Sequence, residues 1–401
     1  MTTAEALDEL PAAMDPFRPE NLDDPYPFYE RLRARGPVAY LPGRDTWFVS
    51  TYASVSQVLR NYRQFVSGLG SSYHRVAESG FRFPFIDNDP PEHTRIRRSV
   101  QGHFGKAPMA ELAPKVRADI ERLAAPALAE ETVDVVEVFS KTIPNLTIQH
   151  VTGIPAPDAQ TMAAWADSAF HVVGPEPDPA HVALIMESLE WLGATGLPAM
   201  PAHCLGRLIM EQGGDGGLLA AEGTERLFAL ASIWVAGVDT TNSLISNMIR
   251  AFTLYPEQWQ RLRADRSLIP AAVEEALRWD SPVRVFMRRT LEEVEFQGVT
   301  IPADADVCAL FPSANRDPEV FERADEFDIT VRRPKAHVAF GASIHLCLGA
   351  PVARLEAAEL LAHLADNVER FEQAGEPVRG VSRVVRNFSS LPTRLVPAAR
   401  A

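Results

Sequence analysis

The sequence has 401 residues, of which 46% are hydrophobic and 23% are charged, as is typical of a globular protein. That length allows either two or three domains of about 150 residues or one large domain. The 53 acidic and 39 basic side chains give a formal net charge of −14, which argues against a nucleic-acid-binding protein.

Cysteine usage and the N-terminus indicate the compartment of the protein. The three cysteines, Cys204, Cys308 and Cys347, are scattered, so they do not form a disulfide framework and indicate a reducing environment. The first residues have neither the basic nor the apolar segment of a signal peptide. No run approaches the roughly 18 apolar residues of a membrane span. We therefore expect a cytoplasmic protein that binds neither membrane nor nucleic acid.

The first fifty residues predict an arm, a helix and a hairpin. Residues 1–25 are rich in proline and acidic side chains, and we expect them to wrap the surface. Residues 25–36 predict a short helix that ends at Gly36. Residues 37–51 alternate between apolar and polar side chains around Gly43-Arg44-Asp45, which predicts a β-hairpin.

The rest of the chain is mainly helical in pattern. From about 53 to 280 the apolar positions recur with helical spacing, interrupted by proline and glycine. Strand-like segments follow at 294–311 and 383–397, with a strongly amphipathic helix between them at 351–371. The glycine-rich stretch at 213–217 follows no strand, so we predict a loop rather than a phosphate cradle. The pattern predicts one mainly α-helical unit with a smaller β-rich part.

Residues 337–350, HVAFGASIHLCLGA, place Cys347 among glycines and two residues after His345. The cysteine could be a buried core thiol, the commonest role of a free cysteine. It could also be a nucleophile with His345 as its base, or a thiolate ligand of iron. Glycines permit close backbone approach, and the helix predicted just after the loop supplies N–H groups that stabilise a thiolate. These two features favour the iron ligand.

The segment at 340–349 resembles the haem-binding loop of cytochrome P-450 mono-oxygenases, whose pattern is Phe-Gly-x-Gly-x-His-x-Cys-x-Gly. One position departs from it, because Ser343 stands where the family usually has glycine. The likeness extends over nearly the whole chain, in the style of the soluble bacterial members. It implies the mainly α cytochrome P-450 fold with a smaller β-rich part, as a single domain over 1–401 with 1–25 as its arm.

Two further motifs occur in the family's order before the loop. Residues 89–100 supply His93 and Arg97, which lie on one helix face and which the family uses on a haem propionate. A solvated basic helix would explain them equally. Residues 236–241, AGVDTT, interrupt an apolar helix and resemble the family's oxygen-binding groove. The ordinary alternative is a tolerated glycine, which weakens a helix by about 1 kcal/mol relative to alanine.

A third motif is the pair Glu275 and Arg278, which lie three residues apart and can pair on one helix face. An ordinary surface ion pair is the alternative and would contribute little to stability. In the family this Glu-x-x-Arg is a buried structural network rather than a catalytic pair. Its third member is an arginine before the haem loop, for which Arg332 and Arg333 are the candidates.

The resemblance implies one haem b, iron protoporphyrin IX, held by the Cys347 thiolate, which favours cleavage of the O–O bond. Asp239 and Thr240 resemble the family's acid–alcohol pair, which routes protons to dioxygen. Arg288 is taken as a propionate partner, in preference to its neighbour Arg289, because RRTLEEVEFQG aligns with the family's arginine before a strand. The expected haem contacts are His93, Arg97, Ala236, Gly237, Arg288, Phe340, His345, Cys347 and Gly349.

The implied reaction inserts one atom of O2 into an organic molecule, by hydroxylation or oxidative demethylation. By family analogy the pocket is mostly apolar, which suits a small to medium apolar or aromatic substrate. Arg82 and Arg284 could bind a substrate carboxylate or face solvent. The expected pocket residues are Phe83, Phe85, Phe170, Trp234, Val283, Arg284, Val285, Phe286 and Phe388.

The sequence has no recognisable flavin, nicotinamide or iron–sulfur segment, so we expect electrons from a ferredoxin and its NAD(P)H-dependent reductase. An acidic partner could dock on Arg95, Arg98 and His103. Three alternatives stay open at this stage. They are a thiol hydrolase that uses Cys347 and His345, a haem-binding protein without oxygenase activity, and a family member that performs oxidative coupling or desaturation.

Overall fold

The computed structural model describes residues 10–75, 78, 82–155, 157–211, 223–332 and 335–399, so the predicted loop at 213–217 lies outside the described residues. Helices form most of the described chain, and short strands form small sheets beside them. The helices are α1 (Tyr26–Arg35), α2 (Tyr52–Arg60), α3 (Glu92–Val100), α4 (Lys106–Ala127), α5 (Thr142–Thr152), α6 (Ala159–Val172), α7 (Pro179–Trp191), α8 (Leu197–Ala199), α9 (Leu205–Glu211), α10 (Gly223–Leu254), α11 (Pro256–Ala264), α12 (Ile269–Trp279), α13 (Phe311–Asn315) and α14 (Ala350–Asn367). The strands are β1 (Val38–Leu41), β2 (Thr46–Val49), β3 (Phe65–Val66), β4 (Val133–Asp134), β5 (Val285–Thr290), β6 (Val294–Phe296), β7 (Val299–Ile301), β8 (Asp306–Leu310), β9 (Val368–Gln373), β10 (Val378–Arg379), β11 (Phe388–Ser390) and β12 (Pro392–Pro397).

The N-terminal elements follow the predicted order of arm, helix and hairpin. Residues 10–25 lie against the hairpin, where the Leu10 amide donates to the Tyr40 carbonyl at 2.7 Å. Helix α1 ends at Gly36, whose φ of +144° is accessible to glycine and rarely to other residues. Strands β1 and β2 pair antiparallel around a turn that Asp45 closes with a φ of +47°. The local turn residues therefore fix the hairpin that the alternation predicts.

The largest sheet brings distant parts of the chain together. Its strand order is β1-β2-β8-β5-β3, in which β2 and β8 are parallel and the other neighbours are antiparallel. Strands β5 and β8 are buried along most of their length. The other pairings join β4, β12 and β9, β10 and β11, and β6 and β7. Strand β5 matters for function because it leads from this sheet to the cavity described below.

The C-terminal helix is shorter than predicted. Helix α14 ends at Asn367, and the predicted continuation to 371 is instead strand β9, which pairs with β12. Asparagine has a low helix propensity and the β-branched Val368 favours a strand, so the change of structure occurs between them. The apolar spacing did not reveal it, because Val368 and Phe371 lie three residues apart and both are buried.

Helix α10 runs through the core for 32 residues, roughly 48 Å at the usual rise per residue. It contacts α5, α6, α12 and α14. Residues 226–254 are long and apolar enough to cross a membrane by length and composition, contrary to the expectation that no run approaches a membrane span. Of the most apolar stretch of this helix, 56% is buried inside the fold, so its composition serves the hydrophobic core.

Candidate active site

The loop at 340–349 bends back on itself directly before α14. The Cys347 amide donates to the Phe340 carbonyl at 2.9 Å and closes the loop. Gly341 and Ser343 both have positive φ angles, of +72° and +60°. Ser343 thus adopts the left-handed conformation at the position where the resembling pattern has glycine, at a cost of roughly 1–3 kcal/mol. The serine strains the loop locally and preserves the bend that presents Cys347.

Cys347 lines an internal cavity of about 330 Å³ and is accessible from it. Burial raises the pKa of the Cys347 thiol, while the N–H groups of Gly349 and Ala350 and the charge of Arg97 act in the opposite direction. These two amides lie at the N-terminus of α14, where the helix dipole also favours negative charge. The sulfur therefore has the amide donors that a thiolate ligand needs.

Helix α10 forms another wall of this cavity, through Ala236, Gly237, Thr240 and Thr241. A Cβ atom on Gly237 would lie 2.8 Å from Cδ1 of Ile148 on α5. Glycine here lets the Ile148 side chain pack close to α10, and a larger residue would make that side chain shift. Packing between these two helices accounts for a residue that helix propensity alone disfavours.

Asp239 and Thr240 are adjacent, but their side chains have different surroundings. The Thr240 hydroxyl donates to the Ala236 carbonyl at 2.7 Å, and Thr240 lines the cavity. Asp239 is 2% exposed and does not line it. Its Oδ1 accepts hydrogen bonds from the side-chain amides of Asn242 and Asn387, at 3.2 and 3.0 Å. The acid and the alcohol are thus neighbours in sequence that do not face the same space.

Two buried carboxyl groups, Asp239 on α10 and Glu356 on α14, have raised pKa values. Burial, followed by the charge of Asp167, raises the pKa of Asp239 to about 7. Burial raises the pKa of Glu356 to about 8, although hydrogen bonds from Thr147 and Thr241 act against it. Glu356 belongs to α14 and lines the cavity. Both groups therefore hold protons at or near neutral pH.

Four basic side chains form a cluster beside the cavity. Arg97, Arg288 and His345 line it, whereas His93 packs against His345 without lining it. The rings of His93 and His345 have centroids 4.3 Å apart. Among the described residues, none of their four ring nitrogens has a hydrogen-bond partner, although all four are buried. Burial, followed by the charge of Arg288, lowers the pKa of His345 to about 2. The cluster offers buried N–H donors to an anionic group, so it fits the propionates of a haem.

The structure distinguishes Arg288 from its neighbour Arg289. Arg288 lines the cavity, donates to the Met287 carbonyl at 2.7 Å, and has its pKa lowered to about 10 by burial. Arg289 pairs with Asp306 at 2.9 Å and donates to the Gly70 carbonyl at 3.0 Å. Successive residues of a strand face opposite sides of a sheet. Of this pair, Arg288 is the arginine that reaches the cavity.

The predicted pocket residues divide into two groups. The first group lines the cavity, whose wall is predominantly apolar: Phe83, Phe85, Phe170, Val283 and Phe286. The second group does not line it: Trp234, Arg284, Val285 and Phe388. Trp234 packs against Trp165 and Trp191, with its ring stacked on that of Trp191 at 5.6 Å. Trp234 and Phe388 therefore belong to the hydrophobic core and not to the cavity wall.

Arg284 corrects the expectation of a carboxylate clamp in the pocket. It is buried and donates to the Leu22 carbonyl of the N-terminal arm at 2.6 Å. Burial and the charge of Arg386 lower its pKa to about 10. The next residue, Val285, packs with the cluster around α1 together with Met287, so these two residues occupy the face of β5 opposite the cavity. Arg82, the other candidate, donates to the Asp87 carbonyl and does not line the cavity.

Glu275 and Arg278 form a buried pair within α12. Two hydrogen bonds of 2.8 Å join the guanidinium to the carboxylate, and the two residues are 4% and 1% exposed. Arg278 also donates to three backbone carbonyls from residues 315–326. This is the buried structural pair expected from the resemblance. Arg332 is exposed, and Arg333 lies outside the described residues.

Glu356 and Asn387 are among the residues of the site that were missed at the sequence level. Glu356 carried a usable signal, because Val352 and Leu360, four residues before and after it, are buried on the same face of α14. A glutamate inside an apolar helix face indicates a buried carboxyl. Asn387 carried no such signal, since its contact with Asp239 spans 148 residues of sequence.

Comparison with known proteins gives consistent matches over the chain. The family model described as Cytochrome P-450 matches residues 224–379. The chain is 33% identical to cytochrome P-450 CYP199A2 of Rhodopseudomonas palustris, over 96% of this chain and 94% of that protein. It is also 33% identical to the cytochrome P-450 mono-oxygenase PikC of Streptomyces venezuelae, over 92% of this chain and 91% of that protein.

Solved structures agree in fold. CYP109E1 of Bacillus megaterium, crystallised with testosterone, matches with a TM-score of 0.80 and 28% identity over 94% of this chain and 99% of that one. CYP108D1 of Novosphingobium aromaticivorans matches with a TM-score of 0.83 and 27% identity over 98% of this chain and all of that one. These likenesses extend over nearly the whole of both chains.

Proposed function

The chain belongs to the cytochrome P-450 family and is a mono-oxygenase of that family, and from this premise we propose that it oxygenates a small to medium apolar or aromatic molecule beside a haem b bound through Cys347. The observation that carries this proposal is Cys347 in the wall of an apolar cavity, with the N-terminal amides of α14 at its sulfur. The proposed reaction is hydroxylation or oxidative demethylation. Oxidative coupling and desaturation would use the same residues and differ in how the substrate is held.

The residues around the cavity suit a haem at three points. Cys347 would bind the metal, and Phe340 and Gly349 of the loop and Ala236 and Gly237 of α10 line the same space. The basic cluster of His93, Arg97, Arg288 and His345 would hold the propionates. A haem with a thiolate ligand supplies the activation of dioxygen with two electrons. The apolar wall excludes water and holds the substrate by burial.

Thr240 and Asp239 would supply protons to the cavity. While the Thr240 hydroxyl donates to the Ala236 carbonyl, its oxygen can still accept a hydrogen bond from the cavity side. Rotation of the hydroxyl would then deliver its hydrogen. The Asp239 carboxyl faces away from the cavity, so its proton would replace that hydrogen only after the side chain turns toward Thr240 or a water molecule bridges the two groups. The raised pKa of Asp239 suits this task, because a general acid works best when its pKa lies near the operating pH.

Replacing Thr240 by alanine is expected to lower product formed per NAD(P)H oxidised by roughly ten- to a hundredfold, because the cavity loses a hydroxyl that transfers protons. Hydrogen peroxide should account for the missing electrons, and electron uptake should persist. The measurement is product, peroxide and NAD(P)H in one assay. Ser243→Ala is the matched control, since that buried hydroxyl of α10 donates to the Asp239 carbonyl and does not line the cavity. An unchanged ratio in Thr240→Ala would contradict the proposed role.

The yield of product per NAD(P)H should fall as the pH rises through about 7. Asp239 is protonated below its pKa of about 7 and loses that proton above it, so the supply of protons is present at lower pH and lost at higher pH. The measurement is the peroxide-to-product ratio between pH 6 and about 8.5, a range set by that pKa. Asp239→Asn should remove the step. Persistence of the same step in Asp239→Asn would assign it to another group.

Electrons are proposed to come from a ferredoxin and an NAD(P)H-dependent reductase. Arg95 and Arg98 line a shallow surface hollow beside α3, and Arg98 and His103 are exposed. Arg95 pairs with Glu92, so Arg98 and His103 would contribute more to docking an acidic partner. A cytoplasmic location is part of this proposal, because ferredoxin and NAD(P)H would have to reach the protein there.

The proposed function is tested by substrate screening followed by turnover. A panel of apolar and aromatic molecules would be added to the haem-loaded protein, and binding would be followed by the change in its absorption spectrum. Ligands that bind would then be incubated with ferredoxin, reductase, NAD(P)H and ¹⁸O-labelled dioxygen. The proposal predicts products that carry one labelled oxygen atom or have lost a methyl group. Binding without any NAD(P)H-dependent product across the panel would contradict it.

A further inference from the structure

We propose that Asn387 is a positioning residue for proton supply: together with Asn242 it occupies Oδ1 of Asp239, so that the neutral carboxyl carries its proton on Oδ2. The inference deepens the proposed function and rests on the role given there to Asp239. It concerns a residue that comes from the C-terminal loop, far from α10 in sequence. Asn387 does not line the cavity and its side-chain amide donates to Asp239, so it would act through Asp239.

The geometry places two amide donors on one carboxylate oxygen. The side-chain amide of Asn387 donates to Oδ1 of Asp239 at 3.0 Å, and that of Asn242 donates to the same oxygen at 3.2 Å. Asn387 is 6% exposed, so water does not compete effectively for these bonds. Oδ2 of Asp239 is buried and has no hydrogen-bond partner among the described residues. The two oxygens of the carboxyl are therefore not equivalent.

This asymmetry determines which oxygen binds the proton. An N–H donor needs an acceptor lone pair, and the unprotonated carbonyl oxygen of a carboxylic acid is a better acceptor than its hydroxyl oxygen. Two donors on Oδ1 therefore favour the neutral form in which Oδ2 is protonated. The O–H of that form lacks a partner among the described residues, so it is available to a proton acceptor. Without Asn387 this preference would rest on Asn242 alone.

The backbone around Asn387 is fixed on both sides, which keeps its amide in place. The Gly380 amide donates to the Asn387 carbonyl at 3.1 Å, and a Cβ atom on Gly380 would lie only 2.0 Å from Oδ1 of Asn387. A larger residue at 380 would therefore displace the Asn387 side chain from this position. On the other side, the Arg386 side chain pairs with Asp280, and the side-chain amide of Asn247 donates to the Arg386 backbone carbonyl at 2.8 Å. These contacts hold the backbone on both sides of Asn387 in place.

The charged groups that act on Asp239 come from neighbouring elements. Asp167 of α6 raises its pKa, and Lys141, which precedes α5, lowers it. The hydrogen bonds from Asn387 and Asn242 also lower it, because they favour the ionised form. Removing either amide therefore raises the pKa of Asp239, and the pH at which proton supply fails moves upward.

The first test combines Asn387→Ala with the pH dependence of the peroxide-to-product ratio. The midpoint of that dependence is expected to rise by about one pH unit, the size of the effect of a single hydrogen bond on a carboxyl group. The second readout is the infrared carbonyl stretch of the neutral Asp239, identified by its absence in Asp239→Asn. That stretch should move to higher frequency in Asn387→Ala, because its carbonyl oxygen loses a hydrogen bond. An unchanged midpoint and band would overturn the inference.

Two further variants separate positioning from loop stability. Ser389→Ala is the control, since it removes an exposed hydroxyl two residues after Asn387 that donates to the Val378 carbonyl and not to Asp239. It should leave both midpoint and band unchanged. Asn242→Ala removes the other donor without altering the loop, and it should shift both readouts in the same direction as Asn387→Ala. If Asp239→Asn itself leaves the pH dependence intact, the proposed role of Asp239 fails instead.

Discussion

Replacing Cys347 by alanine is expected to reduce NAD(P)H-driven oxygenation to background. Cys347 is the one cysteine of the chain that lines the cavity described here, and it alone has α14 amides directed at its sulfur. Alanine would remove the proposed ligand and the electron density that a thiolate would donate to iron. The measurement is product formation with a ligand that binds the unsubstituted protein, together with the haem content of each sample.

Cys204→Ala is the matched control for that experiment. Cys204 is partly buried outside the cavity, where its Sγ accepts from the Arg207 amide at 3.4 Å, so its loss should leave turnover and haem content unchanged. Turnover by Cys347→Ala at the rate of the unsubstituted protein would show that another group binds the metal. Equal loss in both variants would indicate a general effect of removing a thiol.

Replacing Arg278 by alanine is expected to lower the free energy of unfolding by about 3–5 kcal/mol. The substitution leaves the Glu275 carboxylate buried without its bidentate partner, and breaking one side of a buried ion pair is strongly destabilising. Three backbone carbonyls would also lose the guanidinium donors. The measurement is the guanidinium chloride midpoint of each variant with its slope, which together give the change in free energy.

Arg117→Ala supplies the comparison for this prediction. Arg117 makes an equally well-formed bidentate pair with Glu359, with two contacts of 2.9 Å, but its side chain is 55% exposed. Solvent screens such pairs, so its loss should move the unfolding midpoint far less than the loss of Arg278 does. If both variants lost similar stability, burial would not be what makes the Glu275–Arg278 pair important. If Arg278→Ala kept the unsubstituted midpoint, the pair would have no structural role.

The parts of the fold that were predicted correctly are those that local sequence signals mark. Gly36 and the turn at Asp45 mark the end of α1 and the hairpin in the sequence itself, because each needs a backbone conformation that few residues adopt. The end of α14 was predicted four residues too late. Val368 and Phe371 have a spacing that fits a helix face, and it is the pairing of β9 with β12 that makes this segment a strand. Such pairing depends on residues far along the chain.

In the candidate site, too, local motifs predicted some residues correctly, while residues that depend on distant parts of the chain were not predicted. Cys347 and His345 lie within one contiguous motif, and His93 and Arg97 within another, so the resemblance located them. The direction of a side chain near β5 depended on which face of the sheet it occupies. The sequence does not reveal that face, and Arg284 was expected in the pocket. In the structure Arg284 donates to the Leu22 carbonyl of the N-terminal arm.

Contacts between distant segments could not be predicted from the sequence. The hydrogen bond from Asn387 to Asp239 joins the C-terminal loop to α10, and no spacing rule relates the two positions. Glu356 is an intermediate case, because its place on an apolar helix face was visible while its position in the cavity wall was not. The chemistry of the site therefore depends partly on residues that only the folded chain brings together.

The central claim is that Cys347 binds a haem as a thiolate. The most direct test is the absorption spectrum of the purified, chemically reduced protein after addition of carbon monoxide. We predict a strongly red-shifted Soret band, typical of a thiolate opposite the gas, and its loss in Cys347→Ser. A Soret band typical of histidine ligation, or a protein without haem absorption, would contradict the assignment of the loop at 340–349.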